Sequence, residues 1–139
     1  MFDWSEAFET GIPEIDQQHQ ELFRIGEEIN QLLVHHQGQD SYDEISECLE
    51  KLSEYTVFHF DTEEELFEKF DYADTEAHIK EHRTFVDYLN TLDVHHIDAN
   101  QETAIKDLLK FVAMWIFKHI NNTDFKYTSF IKDKLGIAS

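Results

Sequence analysis

The chain has 139 residues, with 11 Lys and Arg against 30 Asp and Glu, for a formal net charge of −19. Nucleic-acid binding rests on basic side chains that neutralise phosphates, and anionic membrane surfaces attract basic segments, so this balance excludes both. A solvated acidic exterior that keeps the protein soluble and opposes self-association is expected instead, which favours a monomer.

One proline and four glycines leave few interruptions to helix. The single cysteine, Cys48, rules out an internal disulfide and sits on an apolar stripe as a core thiol. The N-terminus, MFDWSEAFETG, has neither the basic nor the apolar run of a signal peptide. No stretch approaches the ~20 apolar residues of a membrane span. A cytoplasmic, all-α, single-domain protein over residues 1–139 is the expectation.

An arm over residues 1–13 carries Trp4, Phe8 and Ile12, and should pack across the bundle that follows at about 14–135. The first predicted helix runs from Pro13 to His36, with Ile15, His19, Leu22, Gly26, Ile29 and Leu33 on its inward seam. The second spans Ser41 to Phe70, through Ile45, Leu49, Leu52, Thr56, His59, Glu63, Leu66 and Phe70. Asp74 is placed to cap the third, which runs from Thr75 to Val94 through His78, His82, Phe85, Leu89 and Leu92. HHIDAN reads as a turn, and the fourth helix starts near Gln101 with Ile105, Leu108, Val112, Trp115 and His119 inward. Steps of four and three with short connections predict an antiparallel up-down-up-down four-helix bundle with a short C-terminal helical extension.

The seams should be apolar, yet His19, His59, Glu63, His78, His82 and His119 interrupt them. A buried ionisable group is costly unless it is paired or holds a metal. One such histidine is easily satisfied by a carbonyl or carboxylate; five with a glutamate, on four helices, are not. In an antiparallel bundle all six converge toward one end. Imidazole with carboxylate suits a transition metal, and spacings of four in HFDTE and HIKEH present both side chains on one face. Zinc takes about four ligands, so this set suffices for two ions. The glutamate-rich pattern of ferritin-like di-iron proteins is absent.

With these residues the chain resembles the hemerythrin family, in its single-domain bacterial form, over nearly its whole length. The family pattern is a lone His on the first helix, H-x-x-x-E on the second, H-x-x-x-H on the third and H-x-x-x-x-D on the fourth. It falls on His19, on His59 and Glu63, on His78 and His82, and on His119 and Asp124 without a departure. The resemblance implies a non-heme di-iron site that binds O2 reversibly. His78, His82 and His119 hold one iron and His19 and His59 the other. Glu63, Asp124 and an oxo or hydroxo group bridge the pair. That arrangement leaves one coordination position open, on the iron with two histidines.

Reversible binding also calls for a dry apolar pocket, for which Leu22, Phe23, Phe60, Trp115, Ile116 and Ile120 flank the ligands. The implied role is an oxygen carrier, store or supplier to an oxygen-consuming enzyme, not itself an enzyme. The alternatives are a di-iron oxidase or peroxidase, a nitric-oxide scavenger, or an oxygen sensor. An enzyme would need proton delivery or a substrate channel beside the open iron, and no ionisable residue beyond the ligands is committed to that role, Tyr55 and Tyr127 being the candidates to lie near it. The remaining histidines, His35, His36, His95 and His96, lie beside two turns at the opposite end and should be exposed.

KHINNTDF poses a difficulty of spacing. Five residues set His119 and Asp124 roughly 140° apart on a regular helix, and the next inward step of four would land on Thr123. Beyond Asp124 the pattern resumes through Tyr127, Ile131 and Leu135. One extra residue has entered, as in a single π-type turn, and such turns are frequent at functional sites.

Overall fold

The alternation of threes and fours is realised as helices. The structure, a computed structural model, describes residues 2–92 and 94–137, and no strand occurs among them. Helix α1 spans Pro13–His36, α2 Tyr42–Phe70, α3 Thr75–Asn90, α4 Val94–Ala99 and α5 Gln101–Lys118. A π-helical turn, His119–Thr123, joins α5 to α6, Asp124–Leu135. Together α1, α2, α3 and α5 with its continuation form the antiparallel four-helix bundle.

Helix α1 begins with Pro13, whose missing N–H is harmless in a first turn. The Asp16 carboxylate accepts hydrogen bonds from Thr10 N and Thr10 Oγ1, both 2.7 Å, and from Gly11 N at 3.0 Å. This fixes the arm to the helix and sets a negative charge at its positive end. The arm packs as expected. Phe2 and Ile12 are buried, and Trp4 and Phe8 meet Phe23 at 5.2 and 5.1 Å between ring centroids. Gly26 makes room for the arm, because a Cβ there would lie 2.8 Å from the Phe2 ring.

Several expectations require correction. The third helix stops at Asn90 rather than Val94. Just beyond it the Thr91 hydroxyl donates to Tyr88 O at 2.6 Å, a local bond that competes with the helical ladder. HHIDAN is not a turn: it falls largely within α4, anchored by Ile97, which is buried against the core. Asp74 occupies the N-cap position but its side chain makes no capping bond.

Helix α2 buries Phe67 near its C-terminus rather than Leu66 and Phe70, which are half-buried, and Leu135 at the end of α6 is exposed. Cys48 is half-buried at the edge of the core, where burial raises its pKa and so disfavours the reactive thiolate. His35 and His96 are exposed, but His36 is buried, its Nδ1 2.9 Å from Ser41 Oγ. Ser41 N in turn donates to Gln101 Oε1 at 2.7 Å, so this histidine belongs to a polar knot between α1, α2 and α5. The side chain of His95 lies outside the described residues.

The apolar interior has two parts. A large cluster runs from Leu22 and Phe23 through Ile29, Ile45, Leu52, Phe60 and Phe85 to Ile105, Val112 and Ile120. A smaller one joins Ile12, Ile15, Phe67, Tyr127 and Ile131. Between them lie the polar residues of the seams.

Candidate metal centre

Each polar seam residue arrives from its own helix: His19 from α1, His59 and Glu63 from α2, His78 and His82 from α3, and His119 and Asp124 from either end of the π turn. All seven are at most 2% exposed. The turn performs the predicted shift. The backbone N–H of Asp124 bonds to His119 O, a step of five, so the carboxylate is brought inward and is fully buried.

The seven side chains form two overlapping groups. In one, ligand atoms of Glu63, His78, His82, His119 and Asp124 all lie within 4.8 Å of one another; in the other, those of His19, His59, Glu63 and Asp124 do. Three histidines belong only to the first, two only to the second, and both carboxylates to both. Asp124 divides its oxygens between them. Its Oδ2 is 2.9 Å from His19 Nε2, while Oδ1 is 2.9 Å from His78 Nε2 and 3.0 Å from His119 Nε2. Glu63 Oε1 is 3.0 Å from His59 Nε2 and 3.2 Å from His82 Nε2, and its Oε2 is 3.7 Å from His78 Nε2.

Most of these near approaches are not hydrogen bonds. Nε2 of His59, His78, His82 and His119, both oxygens of Glu63 and Oδ1 of Asp124 are buried without a partner of acceptable geometry. Native proteins leave few such atoms. Seven of them facing one another fit a donor set arranged around cations, and imidazole with carboxylate is the chemistry of iron and its neighbours. The charges agree with that fit. Burial, and then the Asp124 carboxylate, push the Glu63 pKa upward, yet His59 and His82 outweigh them and hold it below the usual range. Burial likewise opposes ionisation of Asp124, and His119, His19 and His78 overcome it. His119 is raised: burial pulls its pKa down, but Asp124 and then Glu63 more than compensate.

Aromatic rings close the centre on both sides. Toward the large cluster, Phe60 stacks on His82 at 3.9 Å between centroids and lies 6.0 Å from His59 and 6.3 Å from His119. Trp115, half-buried, stacks on His119 at 4.2 Å. Toward the small cluster, Phe67 and Tyr127 lie 4.7 and 5.5 Å from His78. The Tyr127 hydroxyl is buried without a hydrogen bond; burial, then Glu63 and Asp124, push its pKa well above 10. Leu22, Ile116 and Ile120 are buried as expected, whereas Phe23 makes its ring contacts with the arm and Phe117. Tyr55, half-exposed, makes a tilted ring contact with Phe58 at 5.7 Å. A surface cleft of about 620 Å³ lies beside the centre between α2 and α3 and is lined by Asp61, Glu64, Glu65, Glu68 and their neighbours, not by the seven.

Residues that sequence reading passed over hold the outward faces of the imidazoles. His59 Nδ1 is 2.7 Å from Gln18 Oε1, and His82 Nδ1 is 3.1 Å from Glu64 Oε2. Glu81 Oε1 stands 3.8 Å from His119 Nδ1 and accepts a bond from Thr123 Oγ1 at 3.0 Å. The signal was present: Gln18, Glu64, Glu81 and Thr123 each neighbour a seam residue in the chain. One step along a helix is ~100° around it, which points a side chain at the adjoining helix rather than the axis.

A four-helix bundle that buries five histidines and two carboxylates in two overlapping groups is a metal-binding bundle, with a donor set compatible with a di-iron site. Comparison with known proteins narrows the class. The family model described as the hemerythrin HHE cation binding domain matches residues 10–131. A bacteriohemerythrin of Clostridium acetobutylicum is 35% identical over 127 residues, covering 91% of this chain and 98% of that protein. A myohemerythrin of Theromyzon tessulatum is 31% identical over 126 residues, 91% of this chain and 90% of its own. A crystal structure of wild-type hemerythrin superposes with a TM-score of 0.72 at 26% identity, covering 91% of this chain and 95% of that one. The chain belongs to the hemerythrin family. No helix among the described residues is long and apolar enough to cross a membrane.

Proposed function

We propose that the chain binds O2 reversibly at a non-heme di-iron centre, as a carrier, store or local supplier of oxygen rather than an enzyme. His78, His82 and His119 would hold one iron and His19 and His59 the other, with Glu63 and Asp124 and an oxo or hydroxo group shared between them. The observation that carries this reading is the unequal sharing of donors: two carboxylates common to both groups, but three histidines for one and two for the other. An ion in the two-histidine group would be one protein ligand short, and a small molecule would bind there. When bound, a ferrous pair supplies the electrons that O2 takes up on binding and returns on release.

The side chains around the centre serve reversibility by keeping water and protons away. Phe60, Leu22, Ile116 and Ile120 are at most 2% exposed and contribute no acid or base. Trp115 covers His119 from the outside. Phe23 is the weakest candidate for this lining, because its ring faces the arm.

The test is anaerobic reduction, addition of O2, and removal of O2 under vacuum while the visible absorption is followed. Full recovery of the ferrous form is the expected result. Rapid, irreversible conversion to the diferric form would refute carriage and favour an oxidase or a sensor.

A further inference from the structure

We infer that Gln18 is a positioning residue that holds His59 through an uncharged acceptor, whereas Glu64 holds His82 through a charged one. The two halves of the centre are thereby made electronically unequal. The inference deepens the proposed function and rests on the ligand assignment made there.

The argument starts at a backbone carbonyl. Phe58 O can only accept, and Thr62 Oγ1 lies 3.0 Å from it, so the single hydroxyl proton of Thr62 is committed there. Thr62 Oγ1 therefore accepts from Gln18, 3.2 Å away, and the amide group must turn its NH2 toward Thr62. That leaves Gln18 Oε1 facing His59 at 2.7 Å, so His59 Nδ1–H donates to it. The reverse amide orientation would oppose two acceptors at Thr62. The Nε2 lone pair of His59 is thus left for the interior, beside Glu63 Oε1. Gln18 is buried, 4% exposed, so water does not substitute for it readily.

The other half is built differently. His82 Nδ1–H donates to the Glu64 carboxylate, while His119 Nδ1 makes no hydrogen bond, the Thr123-tethered Glu81 carboxylate standing 3.8 Å away. On the two-histidine side no carboxylate among the described residues accepts from a ring N–H: His59 meets an amide, and His19 Nδ1 is buried with no hydrogen-bond partner. A carboxylate acceptor draws on the ring proton more strongly than a neutral one and makes the imidazole a stronger donor to its metal. Through Glu64 and His82 the three-histidine half would stabilise a higher oxidation state of a bound metal more firmly. The two-histidine half would hold that state less firmly, which would suit release.

Three measurements test this. In zinc-loaded protein with 15N-labelled histidine, the His59 Nδ1–H proton should resonate upfield of that of His82. Gln18→Glu should move it downfield and leave His82 in place, and Glu64→Gln should move the His82 proton upfield. In iron-loaded protein, Gln18→Glu should lower the midpoint potential and Glu64→Gln should raise it. Gln18→Ala should weaken one of the two metal equivalents by about 10–100-fold.

Glu64 is only half-buried, so Glu64→Gln gives a folded comparison even where a Gln18 variant does not. An unmoved His59 resonance in folded Gln18→Glu, or an unmoved His82 resonance in Glu64→Gln, overturns the inference, as do potentials equal to wild type in both. Failure to take up iron while the zinc-loaded shifts appear sinks the proposed function and leaves the role of Gln18 standing.

Discussion

The two apolar clusters of the bundle stand in different relations to the centre between them. The large one spans α1, α2, α3, α4 and α5 and meets the polar layer chiefly through Phe60 and Trp115. The small one has five buried members, Ile12, Ile15, Phe67, Tyr127 and Ile131. It is separated from the rest by a slab of imidazole and carboxylate, many of whose buried atoms lack hydrogen-bond partners. Burial of apolar area stabilises in proportion to its extent, so the large cluster can hold its helices alone. The small cluster depends on whatever satisfies the slab. A binding site placed this way ties the end of a fold to its ligand, because binding to the native state adds directly to stability.

Removing metal with a chelator should have the largest effect and should be unequal. Hydrogen exchange is expected to lose more protection in α6 and around Phe67 and His78 than around Ile29, Leu52 and Ile105, and the melting temperature should fall. Equal loss at both ends would break the comparison by making the bundle one cooperative unit. The next effect is on metal content. Asp124→Asn removes a donor common to both groups and should deplete both ions, whereas His82→Ala should deplete one. The metal-to-protein ratio after desalting distinguishes these outcomes, and equal ratios would contradict the sharing.

Core truncations sharpen the contrast in stability itself. Leu52→Ala in the large cluster should cost about 2–5 kcal/mol and Phe67→Ala in the small one about 3–5 kcal/mol in denaturant titrations. Only Phe67→Ala should also speed metal loss, since its ring lies against His78. Gly26→Ala should displace Phe2 from α1 at a cost of about 1–3 kcal/mol. It should leave metal content unchanged, because the arm packs on the far side of Phe23 from the centre.

The smallest effect is that of pH on metal-free protein. His119 has a folded pKa raised above 6.5, because Asp124 and Glu63 outweigh burial. Its contribution is complete below about 6.5 and is lost as pH rises through the folded value. Glu63 and Asp124 are depressed, so theirs is present above about 4 and disappears only as pH falls through their lowered values. Metal-free protein should therefore be most stable between about pH 4 and 6.5 and weaken first on the alkaline side. A metal-free stability that rises from pH 6.5 to 8 would contradict that sign.

Much of this was legible before the structure. The boundaries of the first helix were read without error, from Pro13 to His36, because proline at the start and a Gln-Gly pair at the end are local signals. The π turn was legible as a slip of one residue in an otherwise regular pattern. Less legible was the stretch after Asn90, where a threonine hydroxyl ends one helix and a single buried isoleucine holds the next. His36 was misread for the same kind of reason. Its position beside a turn suggested exposure, while its burial depends on Ser41 and on Gln101, which comes from a different helix.

The sequence by itself determined the class of fold and the inward polar residues, because both follow from periodicities that each helix carries alone. Tertiary structure decided which oxygen of Asp124 faces which histidines, that the polar layer separates two apolar clusters, and which groups hold the outer edges of His59 and His82. Gln18, Glu64 and Glu81 lie off the seams, where a helix meets its neighbour. No single-helix pattern marks such a position, because its meaning is set by the residue that another helix places opposite it.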